Sequence, residues 1–317
     1  MNGKTLGSTG VKWAVRIALL LLIAVAVIIL KQNGEEWAGQ FREYSWEIDW
    51  LLLVLSAVIL AVSFFMTPFG WQWLAHSAGC EARSSELRGV WFASQLGRYV
   101  PGKIWLFAGR AAYLKTTGLS VVRSATVPFV EVIFTAASAG LITLLTAIFI
   151  PGFADGNETV RLALIVSGVC FLIIPVFSPL QRLLYKIKHG MTPTKLPLPS
   201  FSLSLKLMTF YVFLWITRGI VLYLWLKGLG ILPIDFGACI GAAPFSWLAG
   251  YIVFFVPGGL GVREAATVAV IATVETTGPV LVALFAIRIL LTSYEVIMAL
   301  VSAKTTGLVG KRKGTTE

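Results

Sequence analysis

The sequence predicts an all-α polytopic membrane protein whose two halves form an inverted repeat, and three observations support this fold class. Of its 317 residues, 57% are hydrophobic and only 13% are charged, and the mean hydropathy is +0.84. Soluble domains do not carry such a composition. Apolar runs long enough to cross a bilayer recur along the chain. Finally, two similar stretches, Tyr99–Lys103 and Phe255–Gly259, lie about half the chain length apart.

The spans follow in chain order from these apolar runs. We assign residues 1–150 to a first membrane repeat, 151–303 to a second, inverted repeat, and 304–317 to a basic cytoplasmic tail. The first repeat contains spans 13–30 and 50–67, a broken hairpin over 86–116 and a span over 121–150. The second contains spans 160–180 and 207–227, a broken hairpin over 236–277 and a span over 279–303. This gives about six full spans and two re-entrant hairpins, with eight full spans as the alternative.

Each hairpin is predicted to break at its Pro-Gly pair. Proline removes a backbone donor and clashes with the preceding turn, and glycine accepts the backbone angles that follow. Matching interruptions in two halves of a membrane protein indicate a binding site between repeats. Two ordinary Pro-Gly loops between spans are the alternative interpretation.

The charge distribution predicts how the chain is oriented in the membrane. The 181–206 loop carries lysine and arginine and no acid, the tail adds four lysine and arginine residues, and the 31–49 loop is acidic. The positive-inside rule then places both termini in the cytoplasm, in a cytoplasmic (inner) membrane. Three full crossings in each half invert the second half, so the two hairpins enter from opposite faces. The net charge of +11 indicates anionic lipid headgroups and not nucleic acid as the partner.

Cations beside the two breaks are the candidate binding residues. Helices that restart after a break direct amides and a positive dipole end into the cavity, which suits phosphate or another anion. The alternative for each cation is that it extends to the headgroups or caps a helix end. The residues proposed to bind substrate are Arg98, Pro101, Gly102, Lys103, Arg110, Pro257, Gly258, Gly259, Gly261, Arg263 and Glu264.

Charges inside the spans form a second candidate set, because such charges are costly in a bilayer. Glu131 and Arg288 follow the two motif prolines by thirty and thirty-one residues, which predicts an ion pair between them near the midplane. Glu131 is also the leading candidate for a protonatable coupling group. Arg218 and Glu295 are further midplane candidates, and Glu264 is expected to pair locally with its neighbour Arg263.

Two motifs give the chain a family resemblance. They read Pro257-Gly258-Gly259-Leu260-Gly261-Val262-Arg263-Glu264 and Leu96-Gly97-Arg98-Tyr99-Val100-Pro101-Gly102-Lys103. With them the chain resembles, over nearly its whole length, the transmembrane family of lysylphosphatidylglycerol synthase, also described as flippase-like. The resemblance implies that the second motif forms a functional re-entrant segment. Since the sequence holds no aminoacyl-transferase domain, it implies lipid translocation and not lysyl transfer.

Three functions are compatible with these features. The leading one is a lipid flippase that moves an anionic phospholipid or polyprenyl-phosphate-linked headgroup, driven by protons, another coupling ion or the membrane potential. The second is a secondary transporter for a small soluble anion. The third is a membrane glycosyltransferase, for which Asp49 is the best remaining acid. We expect no enzyme activity, cofactor or metal site, because the three cysteines and two histidines show no ligand spacing. The chain is also a candidate homo-oligomer.

Overall fold

In a computed structural model most of the described residues are helical, and no strand occurs in the described ranges. These ranges are 31–32, 34–99, 104–150, 161–162, 164–166, 168–169, 199–253, 256–272 and 276–305. The helices are α1 (Trp50–Met66), α2 (Pro68–Ser77), α3 (Ser84–Gln95), α4 (Ile104–Thr116), α5 (Val121–Phe149), α6 (Phe201–Gly228), α7 (Phe236–Ile252), α8 (Val262–Ile271) and α9 (Thr277–Thr305). Short 3-10 turns occupy Leu96–Tyr99 and Pro257–Gly259.

Four of these helices are long and apolar enough to cross a membrane: Trp50–Ser77, Val121–Phe149, Phe201–Gly228 and Thr277–Ser302. They coincide with the predicted spans 50–67, 121–150, 207–227 and 279–303, and the protein is an integral membrane protein. The predicted span 13–30, most of 160–180 and the tail lie outside the described residues.

Polar side chains fix the point at which the long helices begin. Asp49 accepts a hydrogen bond from the amide of Leu52 at 3.2 Å, and Asp235 accepts one from Ala238 at 2.6 Å. Ser120 and Ser200 cap α5 and α6 in the same manner. Each cap satisfies an amide that the first helical turn leaves without a partner, so these four positions set the helix ends.

Helices α3 and α4 form an antiparallel hairpin, as predicted for 86–116. Near its open end the Tyr113 hydroxyl donates to Glu86 at 3.1 Å, and further in Arg110 Nε donates to Ser94 at 2.8 Å. At the bend, a Cβ on Gly97 would lie 2.7 Å from the backbone nitrogen of Leu106. Glycine at this position therefore allows the two arms to approach closely at the bend.

Helices α7 and α8 form the second hairpin, within the predicted 236–277. Cys239 and Ala242 near the start of α7 share an apolar cluster with Val270 near the end of α8. At the other end of the arms the Arg263 side chain lies on Gly250, where a Cβ would be 2.6 Å from its Cγ. The arms are thus antiparallel, and their bend lies around Pro257–Gly259.

One end of the helix bundle is defined by contacts between loops. The amide of Asp49 donates to the carbonyl of Gly228 at 2.8 Å, and the Tyr44 hydroxyl donates to Gly230 at 2.9 Å. The amide of Gly278 donates to the Gln40 side chain at 2.9 Å. The start of α1, the end of α6 and the start of α9 therefore lie at this end, together with the α7–α8 hairpin.

The opposite end holds the α3–α4 hairpin. Cys80 Sγ lies 3.4 Å from the Thr117 hydroxyl, and Arg123 reaches the carbonyl of Ala78 at 3.5 Å. Leu119 and Leu207 join the same apolar cluster here. The two hairpins thus enter from opposite ends, and their bends meet at Tyr99 and Gly258, where a Cβ on the glycine would lie 3.0 Å from the tyrosine ring.

Packing between the two halves is reciprocal. Helix α5 packs against α4 of the first hairpin and against α7 of the second. Helix α9 packs against α8 of the second hairpin and against α3 of the first. Helices α1 and α6 pack on each other, and the Ser56 hydroxyl donates to the carbonyl of Val221 at 3.0 Å between them. Each hairpin is therefore enclosed by one long helix from each half.

We expect Gly219→Ala to destabilise the protein. A Cβ at this position would lie 2.5 Å from Ile240 Cα, where α6 crosses α7, so a methyl group must push the two backbones apart. Overpacking of this kind costs roughly 1–3 kcal/mol. The measurement is thermal unfolding of the purified protein in detergent.

The matched control is Gly39→Ala, because a Cβ there meets no atom within 4 Å and the residue lies in a helical stretch. Replacing an unconstrained helical glycine with alanine gains about 0.5–1 kcal/mol. Equal melting temperatures for the two variants would contradict close packing of α6 on α7.

A charged cavity where the two hairpins meet

A cavity of about 270 Å³ lies where the bends of the two hairpins meet. Every helix described above except α2 contributes side chains to its wall. Among the described residues, the charged groups on this wall are Arg98, Arg110, Arg218, Arg263 and Arg288 with Glu131, Glu264 and Glu295. These eight charges lie within membrane-spanning helices or the bends between them, so their pairing determines what the cavity can bind.

Arg110 and Glu131 form a buried ion pair between α4 and α5. The Arg110 guanidinium donates to one carboxylate oxygen, and both side chains are at most 5% exposed. The other carboxylate oxygen accepts from the indole of Trp91 at 2.8 Å, and Arg110 Nε donates to Ser94 at 2.8 Å. The guanidinium also lies 5.1 Å from the Trp91 ring centroid. The carboxylate of Glu131 is thus fully engaged by protein donors.

Arg288 and Glu264 form a corresponding pair between α9 and α8. Arg288 Nη1 donates to Glu264 at 2.6 Å, and its Nη2 donates to the carbonyl of Gly258. The second oxygen of Glu264 accepts from the Gly261 amide at 2.6 Å and so caps α8. Gly258 has φ +61, a left-handed conformation that favours glycine. One ion pair therefore holds both the bend and the restart of the helix.

The predicted Glu131–Arg288 pair is wrong. Glu131 instead pairs with Arg110, and Arg288 pairs with Glu264. In both cases the partner lies on the second arm of the hairpin that precedes the helix. Short connections make consecutive helices neighbours, so these partners are in reach as soon as each hairpin packs on the next span. The expected local pairing of Glu264 with Arg263 is wrong for the same reason, since Glu264 binds Arg288.

A third ion pair joins the two halves. Arg98, at the first bend, contacts Glu295 of α9, which is only 1% exposed. The Tyr99 hydroxyl donates to the same carboxylate at 2.8 Å and lies 3.1 Å from the Thr292 hydroxyl. The bend of the first hairpin is thus bound to the last helix of the second half.

Arg218 and Arg263 remain without a carboxylate partner among the described residues. Arg218 Nη2 donates to the Thr67 hydroxyl at 3.1 Å, and the guanidinium lies 4.8 Å from the Trp215 ring centroid. Arg263 packs on Gly250, and its buried Nε has no hydrogen-bond partner in the part of the chain described. Since each of the three glutamates is paired with another arginine, the described part of the cavity wall has two positive charges in excess.

The structure brings most of the candidate site residues to this cavity. Its wall contains Arg98, Arg110, Gly258, Arg263 and Glu264, with the midplane candidates Glu131, Arg218, Arg288 and Glu295. Pro257, Gly259 and Gly261 form the second break beside it. Pro101, Gly102 and Lys103 lie outside the described residues.

Sequence reasoning missed an aromatic surface on one side of the cavity. The rings of Trp247 and Tyr251 stack with centroids 4.8 Å apart, and Trp215 lies 5.4 Å from Trp247. The signal was the four-residue spacing of the two α7 aromatics, which places them on one helix face. Trp91 also lines the cavity, whereas Trp105 is 63% exposed and is not on its wall.

Comparison with protein families places the chain in a known group. The family described as the lysylphosphatidylglycerol synthase TM region matches residues 12–300. The chain belongs to this family. The resemblance predicted from the two Pro-Gly motifs is thereby confirmed, and the family is lipid-related and flippase-like. No individual curated protein matches the chain.

We expect Arg110→Gln alone and Glu131→Gln alone each to destabilise the protein by about 3–5 kcal/mol, because either change leaves a buried charge without its partner. The double variant should lose clearly less than the sum of the two. The measurement is a double-mutant cycle on thermal or denaturant unfolding in detergent.

The control cycle combines Glu131→Gln with Arg288→Gln. These residues share the cavity but no contact, so their effects should add to within about 0.5 kcal/mol. Additivity in the first cycle, or strong coupling in the second, would contradict the observed pairing.

Proposed function

We propose that the protein is a lipid transporter of the flippase type, which passes an anionic lipid-linked headgroup through the charged cavity while the lipid chains stay in the bilayer. The observation that carries the proposal is the pair of arginines, Arg218 and Arg263, that face a cavity at membrane depth without carboxylate partners among the described residues. Charges inside a membrane protein are costly unless paired. An anionic substrate supplies that missing partner, and the lipid-related family favours a lipid as its source.

The dimensions of the cavity support a headgroup as the part that is bound. A volume of about 270 Å³ has room for a phosphate group with a small substituent. In this proposal the apolar acyl or isoprenoid chains remain in contact with lipid during translocation.

We further propose that residues 1–150 and 151–303 are inverted repeats, with six full spans and two re-entrant hairpins. Three features support this: the hairpins enter from opposite ends, their bends meet, and α5 and α9 pack reciprocally on them. The intra-half ion pairs support it too, since Arg110–Glu131 in one half and Glu264–Arg288 in the other join corresponding helices with the charges exchanged. Rocking of one half against the other would then alternate access to the cavity.

The proposed orientation places both termini and the 181–206 loop in the cytoplasm, in a cytoplasmic (inner) membrane. The excess of lysine and arginine in that loop and in the tail supports this assignment. In this orientation the α3–α4 hairpin enters from the cytoplasm and the α7–α8 hairpin from outside.

Transport of a small soluble anion is the second candidate, because unpaired arginines would bind a free anion as well as a headgroup. One transport measurement distinguishes the two candidate functions. A flippase moves a chain-labelled lipid between the leaflets of a vesicle, whereas an anion carrier accumulates the soluble ion in the lumen. We propose transport and not catalysis in either case, with protons, another ion or the membrane potential as the driving force.

We expect Arg263→Ala to abolish lipid transport while leaving expression and melting temperature nearly unchanged, since the guanidinium has no carboxylate to leave unpaired. Arg263→Lys should restore only part of the rate, because lysine keeps the charge and loses the planar fork that binds two phosphate oxygens. The measurement is the rate at which chain-labelled anionic lipid changes leaflet in proteoliposomes.

The matched control is Lys115→Gln, which removes an exposed cation at the end of α4 and changes the net charge equally. Its transport rate should equal that of the unmodified protein. Normal transport by Arg263→Ala would show that Arg263 does not bind the headgroup.

A further inference from the structure

The two excess arginines place a charge requirement on the substrate. We propose that the cavity selects lipids whose headgroup ends in a phosphate monoester or diphosphate, with two negative charges, over lipids whose only anionic group is a phosphodiester. This inference rests on the proposed lipid transport and names the substrate class of the same site. It follows from the way the charges on the cavity wall are paired.

Three of the five arginines are already neutralised. Glu131 binds Arg110, Glu264 binds Arg288 and Glu295 binds Arg98, each through a direct contact between the charged groups. No carboxylate on the described part of the wall is left for another cation. A bound headgroup can therefore supply the negative charge that balances Arg218 and Arg263. Two negative charges are needed to balance both.

The surroundings of Arg263 increase the need for compensation. Arg98, Arg218 and Arg288 are all near enough to repel its charge, against the attraction of Glu264 alone, and Arg98 also repels Arg218. Its Nε is buried and has no hydrogen-bond partner among the described residues. An acceptor with several oxygens would satisfy this donor and screen the mutual repulsion at the same time.

The chemistry of phosphate distinguishes the candidate headgroups. A phosphate monoester carries a charge of about −1.5 to −2 near neutral pH and presents three terminal oxygens. It can therefore accept from both guanidinium groups and leave neither charge unpaired. A phosphodiester carries a single negative charge, so one of the two arginines would keep an uncompensated charge in a poorly solvated cavity.

Headgroups that add positive charge are disfavoured by the same reasoning. A lysyl ester of phosphatidylglycerol carries two amines against one phosphate, so its net charge has the same sign as that of the cavity. We therefore expect this chain to discriminate against the aminoacylated lipid for which its family is named.

The test compares the rates at which the same protein moves a monoester lipid and a diester lipid, with lysylphosphatidylglycerol as a third lipid. Proteoliposomes of phosphatidylcholine receive a trace of chain-labelled phosphatidic acid, a monoester, or chain-labelled phosphatidylglycerol, a diester. At about pH 7.5 we expect the monoester to change leaflet faster on the order of tenfold or more, after subtraction of protein-free vesicles. Lysylphosphatidylglycerol should be the slowest of the three.

A pH series identifies the charge as the cause. The second proton of a phosphate monoester binds with a pKa of about 6, so the advantage of phosphatidic acid should shrink as the pH falls towards about 5.5. The titratable groups that face the cavity are Glu131, Glu264, Glu295, Tyr99 and Tyr251. A wall glutamate that took up a proton would make the cavity more positive and favour the more highly charged lipid further, which is the opposite of the expected trend.

Charge variants provide an independent check. Arg218→Gln removes one excess cation and should bring the rate ratio of the two lipids close to one, whereas Arg218→Lys should retain the preference. Arg263→Lys, which keeps the charge and part of the transport rate, should also retain the preference, and Lys115→Gln, outside the cavity, should leave the ratio unchanged. A preference that survives Arg218→Gln would overturn the assignment.

The outcomes separate this inference from the function on which it rests. Equal rates for the monoester and the diester in the unmodified protein, both above protein-free vesicles, would overturn charge selection and leave lipid transport standing. If neither lipid moves, lipid transport and this inference are both overturned. Uptake of inorganic phosphate into the same vesicles would then assign the cavity to a soluble anion.

Discussion

The need to compensate arginine charges within the membrane governs the structure around the cavity. A guanidinium keeps its charge at any accessible pH, so it must find an anion or a strong acceptor wherever the fold buries it. Three glutamates meet this need, and each pair connects two different parts of the chain. Within their described residues, no backbone hydrogen bond joins the two bends. The ion pairs and the Arg288 bond to Gly258 therefore supply the directional contacts that hold broken helices at a fixed position.

The pairing also explains why the glutamates on the cavity wall do not neutralise the two excess arginines. Each carboxylate is engaged by more than one donor: Glu131 by Arg110 and Trp91, Glu264 by Arg288 and the Gly261 amide, and Glu295 by Arg98 and Tyr99. Shifting one of these glutamates towards a free arginine would break several contacts at once. The excess charge is therefore a stable property of the fold, available to a ligand.

Much of this fold could be predicted from sequence because hydrophobicity and charge are properties of single segments. Span length, the two breaks and the opposite entry of the hairpins all follow from one-dimensional patterns. The choice of ion-pair partners does not follow from such patterns. Nearly equal offsets from the prolines placed Glu131 and Arg288 at similar depth, but depth leaves the rotation of each helix undefined. Each residue instead pairs with a nearer partner in the preceding hairpin. The aromatic surface of Trp215, Trp247 and Tyr251 was missed because tryptophans in a membrane chain are first interpreted as interfacial anchors.

The contact between the two bends has a consequence for membrane permeability. The Tyr99 ring packs directly on the backbone of Gly258, while its hydroxyl is bound to Glu295 and Thr292. Packed atoms thus lie between the two hairpins, which enter the bundle from opposite sides. A polar cavity deep in a membrane would dissipate ion gradients if water could file through it. By bringing an aromatic ring against a residue with no side chain, this contact narrows the path that water could take between the two hairpins at the level where the helices are broken.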